Sequence, residues 1–252
     1  MRRCCTASGT GADGAWPNEG VIRDSAGNLY GTTSQGGTAG WGVVYKLDTA
    51  GHETVLYTFT GGADGGWPYV GVMRDPAGNL YGTATYGGTA GAGVVFKLDT
   101  AGQEAVLYSF TGGADGRNPY GGVIRDSAGN LYGTTVEGGT ANSGVVYKLD
   151  TTGHETVLYS FTGGPDGGGP SGVIRDSAGN LYGTASGGTA GQGVVYELDT
   201  AGQETVLHSF TGGADGYYPN GGVIRDSAGN LYGTTSNGGQ TGGGVVFKLK
   251  PL

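Results

Sequence analysis

The sequence is poor in the features that would place it in several common classes of protein. Its two cysteines, Cys4 and Cys5, are adjacent, so they cannot cross-link distant parts of a fold, and packing must provide the stability. No apolar run reaches the roughly 20 residues of a membrane-spanning helix, and the first residues lack the apolar core of a signal peptide. We therefore expect no membrane insertion and no signal peptide or anchor within this chain.

Positive charge is also scarce. The chain has 13 Lys and Arg against 21 Asp and Glu, a formal net charge of −8, and no basic run. Because phosphate binding needs a positive stripe, we expect no nucleic-acid partner.

Glycine is abundant, with 59 of 252 residues, and it follows a strict repeat. The segment Gly-Val-Ile-Arg-Asp-Ser-Ala-Gly-Asn-Leu-Tyr-Gly-Thr starts at residues 20, 122, 172 and 222, and a copy with two changes starts at 71. A period of 50 to 51 residues is typical of a propeller or another closed array. We predict one domain over residues 1–252, with repeats at 20–70, 71–121, 122–171, 172–221 and 222–252, the last completed by residues 3–19.

Each repeat contains four short apolar runs, which in the first full copy lie at residues 20–24, 28–34, 42–48 and 53–60. They are rich in β-branched and aromatic residues and too short for typical helices. Bulky residues occur on both sides of each run, which indicates sheets buried on both faces. An Asp-x-x-Gly turn joins the first run to the second and the third to the fourth. The predicted fold is an all-β, five-bladed β-propeller of four-stranded antiparallel blades.

The ends of the chain predict how the array closes. The last repeat stops after its third strand, and residues 3–8 align with a fourth strand. We therefore predict that this N-terminal strand pairs with the last blade. Because Arg-Cys-Cys-Thr-Ala-Ser replaces larger apolar residues there, we expect blade 5 to open first.

The order Asp-Ser-Ala-Gly-Asn-Leu-Tyr-Gly-Thr, Gly-Gly-Thr, Gly-Val-Val-Tyr-Lys-Leu-Asp and Glu-Thr-Val-Leu-Tyr-Ser-Phe-Thr-Gly-Gly-Ala-Asp-Gly resembles the GloVer tandem repeat of bacterial choice-of-anchor proteins. The match covers residues 9–249. This resemblance implies a propeller-like repeat in an extracellular or cell-surface protein, and it brings no catalytic residues with it.

The longer links between strands differ most among the copies, and they carry the candidate ligand-binding residues. Directly before the proline of each link to the next repeat are Trp16, Trp67, Asn118 and Tyr218, with Gly169 in the remaining copy. Three residues upstream are Asp13, Asp64, Asp115, Asp166 and Asp215. The links between second and third strands contribute Trp41, Tyr86, Glu137, Gln192 and Asn237. Aromatic rings beside Asp, Asn and Gln suit sugars or peptides, although neutral drift after duplication would also produce this variation.

Five arginines recur on the first strand of each repeat: Arg23, Arg74, Arg125, Arg175 and Arg225. They would either ring a central channel and hold an anion, or each pair with an Asp in a structural role. We expect the structural role.

We expect no metal or cofactor. A hard cation needs six to eight oxygen ligands, whereas each repeat offers one obvious loop carboxylate. The Gly-x-Gly-x-x-Gly run at residues 9–14 is followed by no helix, which argues against a dinucleotide site. Catalysis would need an asymmetry, and the nonrepeated acids on the long links are Glu19 and Glu137.

The sequence favours a monomeric, non-enzymatic binding or display module that recognises a glycan or a surface protein through its long links. Two alternatives stay open at this point. One is a hydrolase or lyase that acts on polysaccharide at the mouth of the channel, and the other is a structural repeat without a ligand.

Overall fold

A computed structural model describes residues 11–250 of the chain. These residues form 19 β-strands and no helix. The strands are β1 Ile22–Arg23, β2 Leu29–Thr33, β3 Val43–Leu47, β4 Glu53–Thr58, β5 Met73–Arg74, β6 Leu80–Ala84, β7 Val94–Leu98, β8 Glu104–Ser109, β9 Ile124–Arg125, β10 Leu131–Thr135, β11 Val145–Leu149, β12 Glu155–Ser160, β13 Ile174–Arg175, β14 Leu181–Ala185, β15 Val194–Leu198, β16 Glu204–Ser209, β17 Ile224–Arg225, β18 Leu231–Thr235 and β19 Val245–Leu249. None of residues 11–250 belongs to a helix long and apolar enough to cross a membrane.

The strands form five antiparallel sheets in which neighbours along the chain are neighbours in the sheet. Four sheets have four strands, and the sheet of β17, β18 and β19 has three. The prediction of an all-β fold with five repeated antiparallel sheets, the blade count of a five-bladed propeller, is confirmed. The predicted closing strand at residues 3–8, with Cys4 and Cys5, lies outside the described residues.

The Asp-x-x-Gly turns close each hairpin as the sequence predicts. In the turn between β1 and β2, the Asp24 carboxylate accepts hydrogen bonds from the backbone and side-chain nitrogens of Asn28 and from the Tyr30 hydroxyl. Gly27 takes a φ of 91°, a region that favours glycine. These bonds to the ionised carboxylate hold the pKa of Asp24 down at about 2, although partial burial works against them.

Two compact units divide the described residues. The first runs to Thr111 and includes Asn118–Val123, and the second contains Gly112–Arg117 and the residues from Ile124 onward. The sheets β1–β4 and β5–β8 belong to the first unit, and the other three sheets belong to the second. The expectation of a single domain stays a prediction.

Each unit has its own apolar core between its sheets. In the first unit, the fully buried Phe59 packs edge-on against Phe96, with ring centroids 5.1 Å apart. In the second, Phe161 packs against Tyr196 with the same centroid separation. Burying each such ring contributes about 1.5–3 kcal/mol to stability, so these aromatic pairs are main elements of the two cores.

The second strand of each repeat contains a glycine, because an aromatic ring of the third strand comes close to its backbone. A Cβ atom added to Gly133 on β10 would lie 2.4 Å from the hydroxyl oxygen of Tyr147 on β11. The hydroxyl end of the Tyr147 ring thus lies against the Gly133 backbone of the neighbouring strand. The same contact recurs at Gly31 and Gly183 with Tyr45 and Tyr196.

Candidate active site

A cavity of about 320 Å³ lies in the first unit beside the short first strands β1 and β5. Its lining is mostly apolar and backbone, and one carboxylate, that of Glu19, joins it. The lining residues are Glu19, Gly20, Val21, Ile22, Gly71, Val72, Met73 and Val123. The cavity is lined in similar measure by apolar side chains and by polar backbone and carboxylate groups. Its volume is at the lower end of the roughly 300–1,000 Å³ range of ligand pockets, which is suited to a small molecule.

Glu19 is held by the backbone of the next repeat. Its Oε2 accepts a hydrogen bond from the Gly71 N–H at 2.6 Å. Bonds from N–H groups to a carboxylate are short and strong, so one oxygen is fixed while the other is free to meet a ligand or a water molecule. At the same repeat position the chain has Val70, Gly121, Ser171 and Gly221, which makes Glu19 an acid without a repeated counterpart.

Five aromatic side chains of the first unit are here called the aromatic array, and two of them, Tyr69 and Tyr120, are within three residues of the cavity lining in the chain. Trp41 and Trp67 have ring centroids 6.0 Å apart, and Tyr86 meets Trp67 edge-on at 5.0 Å. The ring centroids of Tyr69 and Tyr120 are 4.5 Å apart, and the angle between the ring planes is 30°. Burial, followed by a hydrogen bond with Tyr69, raises the pKa of Tyr120 to about 12, so its hydroxyl remains protonated at neutral pH.

The predicted position before the proline of each link has an unusual backbone. Trp16, Trp67, Asn118 and Tyr218 all have φ between 54° and 62°, and Gly169 has a φ of 57°. Positive φ is rare for bulky residues because the Cβ atom crowds the backbone. The side chains differ in exposure: Trp16 is 64% exposed and Tyr218 46%, whereas Asn118 is buried.

The predicted loop aspartates bind their own loops. Asp64 accepts hydrogen bonds from the Thr60 N–H at 2.7 Å, the Thr60 hydroxyl and the Tyr57 hydroxyl at 3.0 Å. Asp166 does the same with Thr162 and Tyr159, and Asp215 with Thr211 and His208. These carboxylates therefore support the link backbone. Burial opposes the effect, but the bonds from Thr162 and Tyr159 hold the pKa of Asp166 below its usual value.

A set of glutamates at the start of the fourth strands was not predicted from the sequence. Burial first, and then the charge of a nearby loop aspartate, raises the pKa of each to about 7. The pairs of glutamate and aspartate are Glu104 with Asp64, Glu155 with Asp115 and Glu204 with Asp166. The pKa of Glu53 is raised in the same way, by burial and by Asp13. Their signal in the sequence is a Glu that returns at the same strand position.

The other predicted residues of the long links make contacts within those links. Glu137 lies 3.7 Å from Arg117, and the two residues also form a backbone bridge in the second unit. The Gln192 carbonyl accepts the Tyr218 N–H, and Asn237 bridges Tyr217 through the backbone. None of these residues lines the cavity beside Glu19.

The repeated arginines pack on tyrosines. The guanidinium carbons of Arg74, Arg175 and Arg225 lie 5.5–5.8 Å from the ring centroids of Tyr30, Tyr132 and Tyr182. No ion pair within 4.0 Å joins an arginine of these strands to an aspartate among residues 11–250, because the turn asparagines and tyrosines occupy those carboxylates. These arginines therefore make cation–π contacts instead of the expected pairs with Asp, and their structural role stays a prediction.

Metal ligands do not converge in the described part of the chain. Between residues 11 and 250, no group of three or more His, Cys, Asp or Glu is placed to hold a metal ion. The polar chemistry available in the cavity is that of one carboxylate and backbone groups.

The repeat family is recognised along the whole sequence. A family model described as the Gloeobacter/Verrucomicrobia repeat matches residues 4–184 and 156–252. The search of curated proteins finds no match to this chain.

Several solved enzymes have a similar fold. A gluconolactonase from Xanthomonas campestris is 17% identical, with 95% of this chain and 77% of that chain covered and a TM-score of 0.56. A second protein, described as a gluconolactonase, is 16% identical over 92% of this chain and 76% of its own, with a TM-score of 0.53. A luciferin-regenerating enzyme is 17% identical, with 96% of this chain and 94% of that chain covered and a TM-score of 0.51. At these identities the likeness shows the fold.

These comparisons correct the functional expectation. The prediction of a non-enzymatic binding or display module is wrong, because the named proteins whose fold the chain shares are enzymes, gluconolactonases among them. The alternative of a hydrolase fits them better. The sequence pointed away from catalysis because the repeats are nearly identical and only two acids on the long links, Glu19 and Glu137, break the repeat.

Proposed function

This chain belongs to the Gloeobacter/Verrucomicrobia repeat family, and we propose that it is a hydrolase that opens a small cyclic ester, a sugar lactone, in the cavity beside Glu19. The observation that carries the proposal is the break in repeat symmetry at the cavity. A carboxylate that accepts a hydrogen bond from the Gly71 N–H lies there, where the other copies have Val, Gly or Ser. Catalysis needs such a group to be within hydrogen-bond reach of the reacting water.

The reaction needs one proton acceptor and one proton donor. Glu19 takes a proton from a water molecule as the water oxygen attacks the lactone carbonyl carbon. The C–O bond of the ring then breaks, and the proton on Glu19 passes to the departing ring oxygen. The product is an open-chain hydroxy acid, in which all atoms of the lactone and the water are retained.

The size and lining of the cavity support a substrate of one sugar ring. A volume of about 320 Å³ accommodates a monosaccharide lactone. Val72 and Val123, which are nearly fully buried, exclude water from one side, while the backbone at Gly20 and Gly71 offers polar groups. The similarity to gluconolactonases supports the lactone as the reacting group.

The test is the hydrolysis of glucono-δ-lactone by the purified protein, followed as acid release above the spontaneous rate. We expect Glu19→Gln to lower kcat/KM by at least about a hundredfold, the effect of losing a general base. Glu197→Gln is the matched control. Glu197 lies on β15, outside the cavity, and accepts a hydrogen bond from the Tyr182 hydroxyl. Equal rates for the wild type and Glu19→Gln, with both folded by circular dichroism, would refute the proposal.

A further inference from the structure

The aromatic array is confined to one part of the molecule, although its positions recur in every repeat. Where the array has Trp41 and Tyr86, the third copy has Ser143 and Glu137. All three tryptophans of the chain lie in the first unit, and two of them belong to the array. The fifth copy keeps an aromatic residue, Tyr218, at the Trp67 position, but it has Gly243 and Asn237 at the positions of Trp41 and Tyr86.

The backbone at Trp67 keeps an aromatic ring in a conformation that glycine would adopt more easily. Its φ of 56° matches the 57° of Gly169, the equivalent residue of the fourth copy. A bulky residue held in this region costs on the order of 1–3 kcal/mol, and such strain is concentrated at functional sites. Trp16 and Tyr218 have the same backbone conformation, so the strain belongs to this position in several repeats, and only the fourth copy relieves it with glycine.

Tyr69 is also present at a cost in stability, because it replaces a residue that makes a hydrogen bond in the first copy. In the first copy, the Asn18 side chain donates to the Ser34 hydroxyl at 2.9 Å. In the second copy, Tyr69 replaces the asparagine, and the equivalent Thr85 hydroxyl is buried without a hydrogen-bond partner. An unsatisfied buried hydroxyl costs about 1–3 kcal/mol, so the ring of Tyr69 is present at the expense of stability.

The array also runs along the chain into the cavity. Tyr69 is two residues before Gly71, and Tyr120 is three residues before Val123, and both Gly71 and Val123 line the cavity. Tyr86 and Tyr120 are 37% and 42% exposed, so their rings are available to a ligand. Two members of the array, Tyr69 and Tyr120, are thus within three residues of the cavity lining.

The chemistry of the array selects its ligand. It combines flat apolar ring faces with phenol hydroxyls and carries no charged side chain, which suits the C–H faces and hydroxyls of sugar rings better than an ionic partner. We infer that the aromatic array binds the sugar rings attached to the lactone, so that the substrate is an oligosaccharide lactone. The inference rests on the proposed lactone hydrolysis for the identity of the substrate, while sugar binding by the array is tested separately.

The binding test uses intrinsic tryptophan fluorescence, which reports on the first unit alone. Cellotetraose, xylotetraose and chitotetraose at millimolar concentration are the probes, and we expect at least one to change the emission saturably. The variants Trp67→Gly, Tyr86→Gln and Tyr120→Asn use residues that the chain itself has at these repeat positions. Each is expected to weaken binding by about tenfold, the loss of one ring contact. Tyr45→Phe is the control, because Phe96 and Phe247 occupy that position.

Two results would overturn the inference. One is the absence of binding by all three tetrasaccharides, and the other is unchanged affinity in the three array variants. Saturable binding of a proline-rich peptide without any sugar binding would also reject it and identify a protein partner.

Kinetics separate this inference from the proposed function. With a disaccharide lactone, the array variants should raise KM by about tenfold and leave kcat and the hydrolysis of glucono-δ-lactone unchanged. If no lactone is hydrolysed but sugar binding depends on the array, the proposed function fails and the array remains a sugar site. If lactones are hydrolysed with the same KM by wild type and variants, the array is not a substrate site.

Discussion

The half-buried glutamates of the fourth strands predict an unusual dependence of stability on pH. Glu104, Glu155 and Glu204 each have a pKa raised from 4.5 to about 7 in the folded chain. An acid whose folded pKa is raised binds more protons in the folded state than in the unfolded state. Its contribution to stability is therefore present below the unfolded pKa and is lost as the pH rises through about 7.

The size of the effect follows from these values. A fully shielded group would contribute about 1.4 kcal/mol per pH unit across that window, or about 3 kcal/mol for each glutamate. Because the three side chains are partly exposed and water screens their charge, we expect about 1 kcal/mol each and about 3 kcal/mol together. The turn carboxylate of Asp24, whose pKa is about 2, is ionised throughout this window in both states and adds no slope.

Urea denaturation between about pH 5 and about pH 8 measures the effect. The wild type should lose about 3 kcal/mol of unfolding free energy over this range, and the variant with all three glutamates changed to Gln should lose less than about 1 kcal/mol. Glu19→Gln, whose site is outside these clusters, should retain the wild-type slope. Stability that rises with pH in this window, or an equal slope in the triple variant, would refute the reasoning.

Further predictions concern contacts that recur from repeat to repeat: a glycine beside a ring, a buried phenylalanine and a turn carboxylate. Gly133→Ala should destabilise the fold by about 2 kcal/mol or more because its methyl group would clash with the Tyr147 hydroxyl; thermal denaturation checks this, and unchanged stability would contradict the contact. Phe161→Ala, at a fully buried position, should cost about 3–5 kcal/mol in urea denaturation, whereas the exposed Thr156→Ala should stay within about 0.5 kcal/mol. Asp126→Ala removes the acceptor of three turn hydrogen bonds and should cost about 2–3 kcal/mol, and a loss no larger than that of Thr156→Ala would show that the turn does not depend on the carboxylate.

The strands and turns were predictable because local chemistry decides them. A run such as that at residues 42–48 has β-branched and aromatic residues on both sides, and β3 lies inside it at Val43–Leu47. The turn at Asp24 and Gly27 likewise has the residues that a tight hairpin requires. A strand interior and a turn depend on neighbours in the sequence, and those are visible without coordinates.

The site was harder to predict because it depends on residues that meet only in the fold. Glu19 was recognised as a nonrepeated acid, but Val72 and Val123, which face the same cavity, belong to other repeats. Asp64 was expected to bind a ligand, although the Thr60 and Tyr57 hydroxyls already bond to it. A bulge between the third and fourth strands shifts their register, which sequence periodicity alone does not show.

The location of a bound lactone analogue is the most direct test of lactone hydrolysis in the cavity beside Glu19. Gluconolactam, which keeps the ring but resists hydrolysis, would be titrated into uniformly nitrogen-labelled protein while the amide resonances are followed by NMR. We expect saturable shifts of the amide resonances of Gly20, Gly71, Val72 and Val123 around Glu19. In Glu19→Gln these shifts should be lost or markedly weakened. Saturable shifts confined to the second unit, or no shifts beside Glu19 at saturating analogue, would contradict this proposal.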